Sequence, residues 1–363
     1  MTDGPDPSPA DPAARAGLHV VALGSALVDV LAPASDADLE ALALVKGSMA
    51  LVDRGKSSAL YERMVSAVEV SGGSAANTVA GIAALGGAAG LVCKVGDDTF
   101  GDVFVHDLEA TGVRLGRMQR ATAAAGGGAT GHCLVFVTPD GQRTMATHLG
   151  VAATLRPDDV DEDLVSRAQV VYLEGYLWDL APAKAALRRA IEVAHAGDGL
   201  VALTVSDPFC VERHRREFLD LLHDDVDVLF ANEQEAISLF GTGSSGIGSS
   251  GTGSSGTGSF DAAVAAVGET GLLAALTRGA AGSVVVAAHG AVAVPAVPAE
   301  AVVDTTGAGD LYAAGFLHGL THGLDPEACA RLGAVCAAEV ISHLGARPRG
   351  DLAELARAAG IAV

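Results

Sequence analysis

The sequence predicts an α/β fold in which helices cover both faces of a mostly parallel sheet, with a smaller β-sheet beside it. From Val170 onwards, apolar runs of strand length alternate with runs of helix length, an arrangement typical of β–α–β units. Residues 132–149 instead indicate a hairpin, because two β-rich runs flank the turn sequence Pro139-Asp140-Gly141. The first observation predicts a three-layer α/β/α core, and the second predicts the small sheet.

The N-terminal segment shows no sign of a folded or targeting element. Residues 1–16 are rich in Pro, Asp and Ala and lack the apolar stretch of a signal peptide, so we expect a disordered tail on a cytoplasmic protein. Residues 17–363 are then expected to form one domain. Its first strand is predicted from Leu18 to Leu23, and the single Gly24 that follows does not make the G-x-G-x-x-G pattern of dinucleotide-binding folds.

The following segment is expected to complete the small sheet. Residues 46–53 indicate a strand. Residues 50–57 come close to the phosphate-binding pattern G-x-x-x-x-G-K-S, but Ala50 replaces the first glycine, so we favour an exposed turn before a helix over 57–68. Together with the hairpin, this segment would form a lid over the main sheet. We expect the lid to be built from about residues 25–55 and 130–150.

The remaining elements follow the same two periodicities. Further strands are predicted over residues 91–95, 170–174, 200–205, 226–230, 272–277 and 284–288, and β-type residues continue over 291–303. Further helices are predicted over residues 36–44, 99–112, 182–195, 214–222, 262–269 and 311–320, and from Pro326 until Gly345. Residues 241–259 consist almost wholly of Gly, Ser and Thr, so we expect a flexible insertion within the domain.

Two glycine-rich turns stand out as candidate binding elements. In the first, Gly72 and Gly73 lead into a helix whose first turn carries Asn77, which could form a pocket floor for hydroxyl groups or simply a capped helix. In the second, Gly307 and Gly309 precede a buried helix and could let a phosphate approach the free amides of its first turn. Asp310 lies inside that turn, where a carboxylate beside a phosphate suggests a general base for phosphoryl transfer to a hydroxyl.

Composition excludes several classes of partner. Lys and Arg number 23 against 44 Asp and Glu, and this net charge of -21 argues against nucleic acid or an anionic membrane. The five cysteines are scattered singly, which is typical of buried thiols in a reducing compartment. The partner is therefore expected to be a small molecule, and an exposed lid strand would be compatible with a monomer or a homodimer.

The run from Asp304 to Asp310, D-T-T-G-A-G-D, resembles the signature of the ribokinase-like carbohydrate and nucleoside kinases, also called the PfkB family. The resemblance extends from about Leu18 to Gly350. Several stretches are similar to bacterial adenosine kinases, namely residues 24–29, 46–53, 71–78, 172–178, 206–209 and 232–235.

The resemblance implies a nine-stranded ribokinase-like core with a β lid, ATP as donor, and Mg²⁺ as cofactor. It implies Asp310 as catalytic base, with an anion hole formed by Gly307, Ala308 and Gly309. The positions that match substrate-binding residues are Asp29, Gly72, Gly73, Asn77, Arg143 and Tyr176. Those that match the ATP site are Asn232, Glu235, Thr277, Gly279 and Gly282, of which Asn232 and Glu235 would serve Mg²⁺ through water. Asp304 and Thr306 match positions that hold K⁺ in some relatives.

The implied activity is ATP-dependent phosphorylation of a nucleoside 5′-hydroxyl, with adenosine as the favoured acceptor, as in purine salvage. Tyr176 is the candidate for stacking on adenine, and Phe136 and Phe209 are less well matched. A sugar kinase acting on ribose, fructose or a keto-sugar acid is the alternative, and a catalytically silent binding protein is the alternative of another class. Ser25 departs from the family pattern, since adenosine kinases often carry Asn at that position.

Overall fold

The computed structural model describes residues 17–117, 120–121, 128–241, 259–299 and 301–362. The predicted tail over residues 1–16 and nearly all of the Gly/Ser insertion lie outside these described residues. Strands are numbered along the chain: β1 Leu18–Leu23, β2 Leu27–Pro33, β3 Met49–Leu51, β4 Val68–Gly72, β5 Ala89–Val92, β6 Arg114–Leu115, β7 Gly131–Val137, β8 Arg143–His148, β9 Ala168–Glu174, β10 Leu200–Thr204, β11 Val228–Asn232, β12 Leu273–Thr277, β13 Ser283–Ala287 and β14 Gly290–Val294.

The α-helices are numbered in the same way. They are α1 Asp36–Ala41, α2 Arg54–Tyr61, α3 Ser74–Ala84, α4 Thr99–Ala110, α5 Glu162–Ser166, α6 Ala181–Ala196, α7 Pro208–Asp224, α8 Glu233–Phe240, α9 Phe260–Thr270, α10 Ala308–Thr321, α11 Pro326–Val340 and α12 Leu352–Ala358. An Asp or Ser residue is the N-cap of many of these helices. Ser35 and Asp325, for example, each accept a hydrogen bond from a backbone amide of the first turn, as their positions before α1 and α11 predict.

The main sheet has nine strands in the order β14-β13-β12-β11-β10-β9-β1-β5-β6. In this spatial order, the seven strands from β12 to β6 each run parallel to their neighbours. At the other edge, β13 pairs antiparallel with β12, and β14 pairs antiparallel with β13. Successive residues of β1 face opposite sides: Val20 and Ala22 pack with α3 and α10, whereas Val21 and Leu23 pack with α6. Helices therefore cover both faces of the sheet, and the predicted α/β class is confirmed.

The second sheet has five strands in the order β3-β8-β7-β2-β4. Four of these strands fall in the two segments from which the small sheet was expected. The fifth, β4, was missed, because residues up to Val68 were assigned to a helix. That helix, α2, instead begins at Arg54, because the Asp53 carboxylate caps it by accepting from the Lys56 amide at 2.8 Å, and it ends at Tyr61. The function of this sheet as a lid stays a prediction.

Three other element boundaries differ from the prediction by five residues or more. The last strand of the main sheet ends at Val294, because Pro295 has no N–H for the ladder. Helix α11 ends at Val340 rather than near Gly345. Helix α7 begins at Pro208 rather than at His214, because the Asp207 carboxylate accepts from the Cys210 amide at 2.7 Å. Within the described ranges, the helices are too short or too polar to cross a membrane.

Candidate active site

The predicted binding residues gather at one edge of the main sheet. The parallel strands end side by side there, with Glu174 next to Thr204 and Asn232 next to Thr277 in the register. Ligands of parallel α/β sheets bind beyond this edge. Helix α3 begins directly after β4 of the second sheet, and α10 begins near the same place, so both sheets border the candidate site.

The first turn of α10 has the form that an anion site needs. Gly307 is its N-cap residue with φ of 78°, a conformation that favours glycine, and a methyl group there would lie 2.7 Å from Ala346 Cβ. Apart from its chain neighbours and the backbone of its own helix, a methyl group on Gly309 would have no heavy atom of the described residues within 4 Å. Open space therefore lies next to the amides of the turn, where a phosphate could approach, although the Ala308 amide also donates to the Thr305 carbonyl at 3.3 Å.

Asp310 is held by two side chains from the first turn of α3. Its carboxylate accepts from Ser74 Oγ at 2.7 Å and from Asn77 Nδ2 at 2.8 Å. Burial raises the pKa of Asp310, while the two hydrogen bonds and the charge of Arg347 act in the opposite direction. Asn77 Oδ1 is buried and has no hydrogen-bond partner among the described residues. It therefore remains available to a donor such as a ligand hydroxyl.

Asp29 lies against the Gly-Gly turn, as the resemblance implied. A methyl group on Gly72 would lie 2.3 Å from Asp29 Oδ2, and one on Gly73, at φ of 95°, would lie 2.3 Å from the Ser25 carbonyl oxygen. Both glycines thus permit a close approach of the two segments. Burial raises the pKa of Asp29 to about 6, and Arg347 and Arg143 oppose this shift.

Arg143, at the start of β8, connects the second sheet to the D-T-T-G-A-G-D loop. Its guanidinium contacts the carboxylate of Asp304 and the hydroxyl of Thr306. The buried Asp304 carboxylate also accepts from the amides of Thr306 at 2.9 Å and Gly345 at 2.7 Å. The two residues proposed for K⁺ are therefore adjacent, and their polar groups already have protein partners.

Glu174 is a residue of this site that sequence reasoning did not select. It is only 2% exposed, and its Oε2 accepts from the amides of Ala75 at 3.1 Å and Ser25 at 3.3 Å. A methyl group on Gly24 would lie 2.5 Å from the same oxygen. Burial raises the pKa of Glu174 to about 7. The sequence signal that could have identified Glu174 is a carboxylate at the end of an otherwise apolar strand.

Arg347 was also missed, because it lies in an irregular segment after α11. It donates to the carbonyl oxygen and hydroxyl of Ser71, both at 3.1 Å, and to the carbonyl oxygen of Ala76 at 2.5 Å. Burial lowers its pKa to about 10, and Asp29 and Asp310 act in the opposite direction. We find no sequence signal for this residue, since a lone Arg in a loop is ordinarily solvated.

Asn232 and Glu235 form a local pair at the start of α8. The Asn232 side chain accepts from the Glu235 amide at 2.9 Å, and Glu235 accepts from the Asn232 amide at 2.9 Å and from its Nδ2 at 2.5 Å. Burial raises the pKa of Glu235 to about 7. Among the described residues no cluster of three or more His, Cys, Asp or Glu side chains could hold a metal. One carboxylate and one amide oxygen fit Mg²⁺ that keeps most of its waters.

The turn predicted to bind nucleotide lies between β12 and β13. Thr277 ends β12, and Gly279 and Gly282 have φ of 55° and 85°. A methyl group on Gly282 would lie 2.1 Å from the Val294 carbonyl oxygen, whereas one on Gly279 would meet no described atom within 4 Å. The turn is closed by a hydrogen bond from the Arg278 amide to the Gly282 carbonyl at 2.7 Å.

The aromatic candidates differ in exposure. Tyr176 follows β9 and is 36% exposed, and it donates from its amide to Ser206 Oγ at 3.1 Å and from its hydroxyl to the Ser206 carbonyl at 3.3 Å. Phe209 is 70% exposed, while Phe136 is 3% exposed and belongs to the hydrophobic core. Tyr176 and Phe209 thus remain available to a ligand, and Phe136 does not.

These groups can together support one kind of chemistry. The half-buried carboxylate of Asp310 adjoins an open helix N-terminus, and nearby lie Asp29 and the amide oxygen of Asn77, which has no partner among the described residues. The carboxylate can accept a proton from a bound hydroxyl, while backbone amides stabilise negative charge on a transferring group.

Comparison with known proteins agrees with this chemistry. A family model described as pfkB family carbohydrate kinase matches residues 49–351. The solved adenosine kinase from Sinorhizobium meliloti is 44% identical, with a TM-score of 0.83 over 95% of this chain and 100% of that one. A probable sugar kinase from Rhizobium etli CFN 42 is 40% identical, with a TM-score of 0.84 over 95% and 99% of the two chains. The adenosine kinase of Saccharomyces cerevisiae is 29% identical over 338 residues, which cover 90% of this chain and 95% of that protein. The chain therefore belongs to the PfkB family of carbohydrate kinases, which are phosphotransferases that use ATP with a divalent metal.

Proposed function

We propose that this kinase transfers the γ-phosphoryl group of ATP to the 5′-hydroxyl of a nucleoside, with adenosine as its acceptor and Asp310 as the general base. The observation that carries the proposal is the position of Asp310, which Ser74 and Asn77 hold at the open first turn of α10. In the cytoplasm, where we expect the protein, such an activity would convert adenosine to AMP in purine salvage.

The proposed reaction assigns a separate task to each part of the site. Asp29 and Asn77 Oδ1 would accept hydrogen bonds from the ribose hydroxyls. Asp310 would take the proton of the 5′-hydroxyl as its oxygen attacks the γ-phosphorus, and ADP would leave. The amides of Gly307, Ala308 and Gly309 would stabilise charge on the transferring group, and Arg143 would close over it from the second sheet.

Asn232 and Glu235 would hold Mg²⁺ through water, and Thr277, Gly279 and Gly282 would form the nucleotide-binding turn. The ion would neutralise phosphate charge when bound. Asp304 and Thr306 would be the partners of a K⁺ ion, although Arg143 already contacts both of them.

Two observations favour a nucleoside over a free sugar. The Sinorhizobium meliloti relative at 44% identity is an adenosine kinase, and Tyr176 presents an accessible ring beyond the end of β9, where an adenine base could stack. The similarity to a probable sugar kinase at 40% identity supports the alternative, a sugar kinase acting on ribose, fructose or a keto-sugar acid.

The deciding experiment is a coupled ADP-release assay with MgATP against adenosine, inosine, guanosine, ribose and fructose at matched concentrations. We expect turnover on adenosine. Turnover on a sugar alone would contradict the nucleoside assignment and support the sugar kinase. Absence of turnover on all five acceptors would contradict the proposed function as a whole.

The role of Asp310 is tested in the same assay with Asp310→Asn, which keeps the size of the side chain and removes the base. We expect kcat to fall by roughly 10²- to 10⁴-fold, the usual contribution of a general base. Binding of ATP, measured by titration calorimetry, should change little because Asp310 faces the acceptor. Substantial residual turnover would show that another group takes the proton.

A further inference from the structure

Arg347 joins the two segments that form the acceptor side of the site. Its three hydrogen bonds go to the carbonyl and hydroxyl of Ser71, in β4 of the second sheet, and to the carbonyl of Ala76, in the first turn of α3. The guanidinium therefore bridges the two ends of the Gly-Gly turn. Its planar fork of donors suits such a multiple contact, which a lysine could not reproduce.

Each of these anchoring residues is next in sequence to a residue that meets a carboxylate of the site. Ser71 precedes Gly72, against which the Asp29 carboxylate lies. Ala76 precedes Asn77, whose side chain donates to Asp310 at 2.8 Å. Displacement of Arg347 would therefore be transmitted directly to both carboxylates.

The charges around Arg347 are predominantly negative. Asp107 of α4 acts with Asp29 and Asp310 to raise the pKa of Arg347, and Arg143 of β8 lowers that of Asp29. Asp29 in turn raises the pKa of Cys133 of β7, and Asp310 raises those of Tyr172 and Glu174 of β9. Of the two cations involved, Arg143 is already in contact with Asp304. Arg347 is the cation that acts on both Asp29 and Asp310.

We propose that Arg347 is a positioning residue of this kinase, which fixes the Gly-Gly turn against α3 and places a positive charge beside Asp29 and Asp310. The inference rests on the proposed function, because it assigns Asp29 to the acceptor and Asp310 to the proton. Arg347 contacts no reacting group itself and acts through these two carboxylates.

The test compares Arg347→Met, which removes the charge and the donors, with Arg347→Lys, which keeps the charge alone. Kinetic constants for adenosine are measured from about pH 5 to pH 9, the range that contains the acid limb of a carboxylate base. Without the cation, the pKa values of Asp29 and Asp310 rise, so in Arg347→Met we expect the acid limb of kcat/KM to move upward by about one pH unit or more. For a group with a pKa of about 6, such as Asp29, a move of about one pH unit lowers activity at pH 7 roughly twofold and a move of about two pH units roughly tenfold, and activity should recover in alkaline buffer.

For Arg347→Lys we expect the acid limb of the wild-type protein together with a KM raised severalfold, because the charge remains and the turn is less well fixed. Arg349→Met is the matched control. Arg349 is an exposed neighbour whose guanidinium donates to the Leu344 carbonyl at 3.0 Å, and its variant should keep wild-type kinetics.

A purely structural role of Arg347 would lower activity equally at every pH. An unshifted acid limb in Arg347→Met would therefore overturn the inference. If that variant does not fold, Arg347→Lys decides alone, and a wild-type KM in it would overturn the inference equally. Failure of the proposed function is recognised separately, since the wild-type protein would then turn over none of the five acceptors.

Discussion

The two sides of the candidate site are built differently. The proposed acceptor side, Asp29, Gly72, Gly73, Asn77 and Asp310, combines segments far apart in the chain that contact one another directly. The proposed donor side, Asn232, Glu235, Thr277, Gly279 and Gly282, consists of a capping pair and a turn, each with hydrogen bonds within a few residues, and the two are neighbours through the pairing of Asn232 with Thr277. A change on the acceptor side should therefore spread to other site residues, while a change on the donor side should stay local.

The acceptor and donor sides also differ in the number of carboxylates whose pKa is raised. Burial raises the pKa values of three carboxylates on or next to the acceptor side, Asp29, Glu174 and Asp310, and Arg347 opposes this effect for two of them. On the donor side, Glu235 is the carboxylate with a raised pKa, and its hydrogen bonds come from the adjacent Asn232. Acceptor-side variants should consequently show the stronger pH dependence.

Gly309→Ala should have the largest effect and separate activity from folding. Apart from its chain neighbours and the backbone of its own helix, the new methyl group would meet no described atom within 4 Å, and Gly309 is not in a left-handed conformation. Replacement of a glycine in a helix by alanine should therefore stabilise the fold by about 0.5–1 kcal/mol. The same methyl group would obstruct the approach of a phosphate to the amides, so kcat should fall by roughly 10²-fold or more.

Chemical denaturation and the ADP-release assay check the two effects of Gly309→Ala. Gly268→Ala is the matched control, since Gly268 is an exposed residue of α9 where a methyl group would lie 3.9 Å from its nearest neighbour, Val286. It should give the same stabilisation with unchanged activity. Full activity in Gly309→Ala would argue that phosphate does not bind at this turn.

The pH dependence of the unfolding free energy tests whether the buried Glu174, next to the acceptor side, keeps its proton in the folded protein. Its pKa is raised from 4.5 to about 7, so the folded protein holds this proton more tightly than the unfolded chain does. The resulting stabilisation is fully present below the unfolded pKa of 4.5 and is lost as pH rises through about 7. We expect wild-type protein to lose about 1–3 kcal/mol of unfolding free energy over this range through Glu174.

Glu174→Gln should remove this pH dependence, because its amide oxygen can still accept from Ser25 and Ala75 without a charge. Glu174→Ala leaves both buried amides without an acceptor and should cost about 2–5 kcal/mol at acid pH, where the wild-type side chain is neutral. Urea denaturation at several pH values measures both variants. A stability curve for Glu174→Gln that is parallel to the wild-type curve would show that Glu174 does not titrate in this range.

Most of the fold was predictable from local patterns. The parallel strands from Val170 onwards are short apolar runs bounded by turns, and each appears within a few residues of its expected place. The errors arose where a side chain outside the apolar pattern determines the boundary. The caps Asp53 and Asp207 start α2 and α7 earlier than their apolar residues suggest, and because α2 ends at Tyr61, residues 68–72 are free to form β4.

From the residues alone, the candidate site was predictable only where its members lie in compact motifs, whereas Asp29, Arg143 and Tyr176 were expected from the family resemblance. Gly307, Gly309 and Asp310 share one turn, and Asn232 and Glu235 share another, so spacing alone brings them together. Glu174 and Arg347 belong to no motif. Their roles depend on long-range contacts, Glu174 with Ser25 and Ala75, and Arg347 with Ser71 and Ala76, which no local pattern encodes.

The smallest expected effect separates two glycines of the donor-side turn. Gly279 and Gly282 both have positive φ, so alanine at either position should cost about 1–2 kcal/mol of stability. Only at Gly282 does the new methyl group also approach a backbone oxygen, that of Val294, to 2.1 Å. Gly282→Ala should therefore be less stable than Gly279→Ala by a further ~1–3 kcal/mol, the usual cost of overpacking. Thermal or urea denaturation of the pair measures this difference directly. The same pair gives a kinetic test. The hydrogen bond that closes this turn joins two of its own residues, so a change in it should not reach the acceptor side, and KM for adenosine should stay at the wild-type value in Gly279→Ala. A raised KM in that variant would show that changes on the donor side spread to the acceptor side.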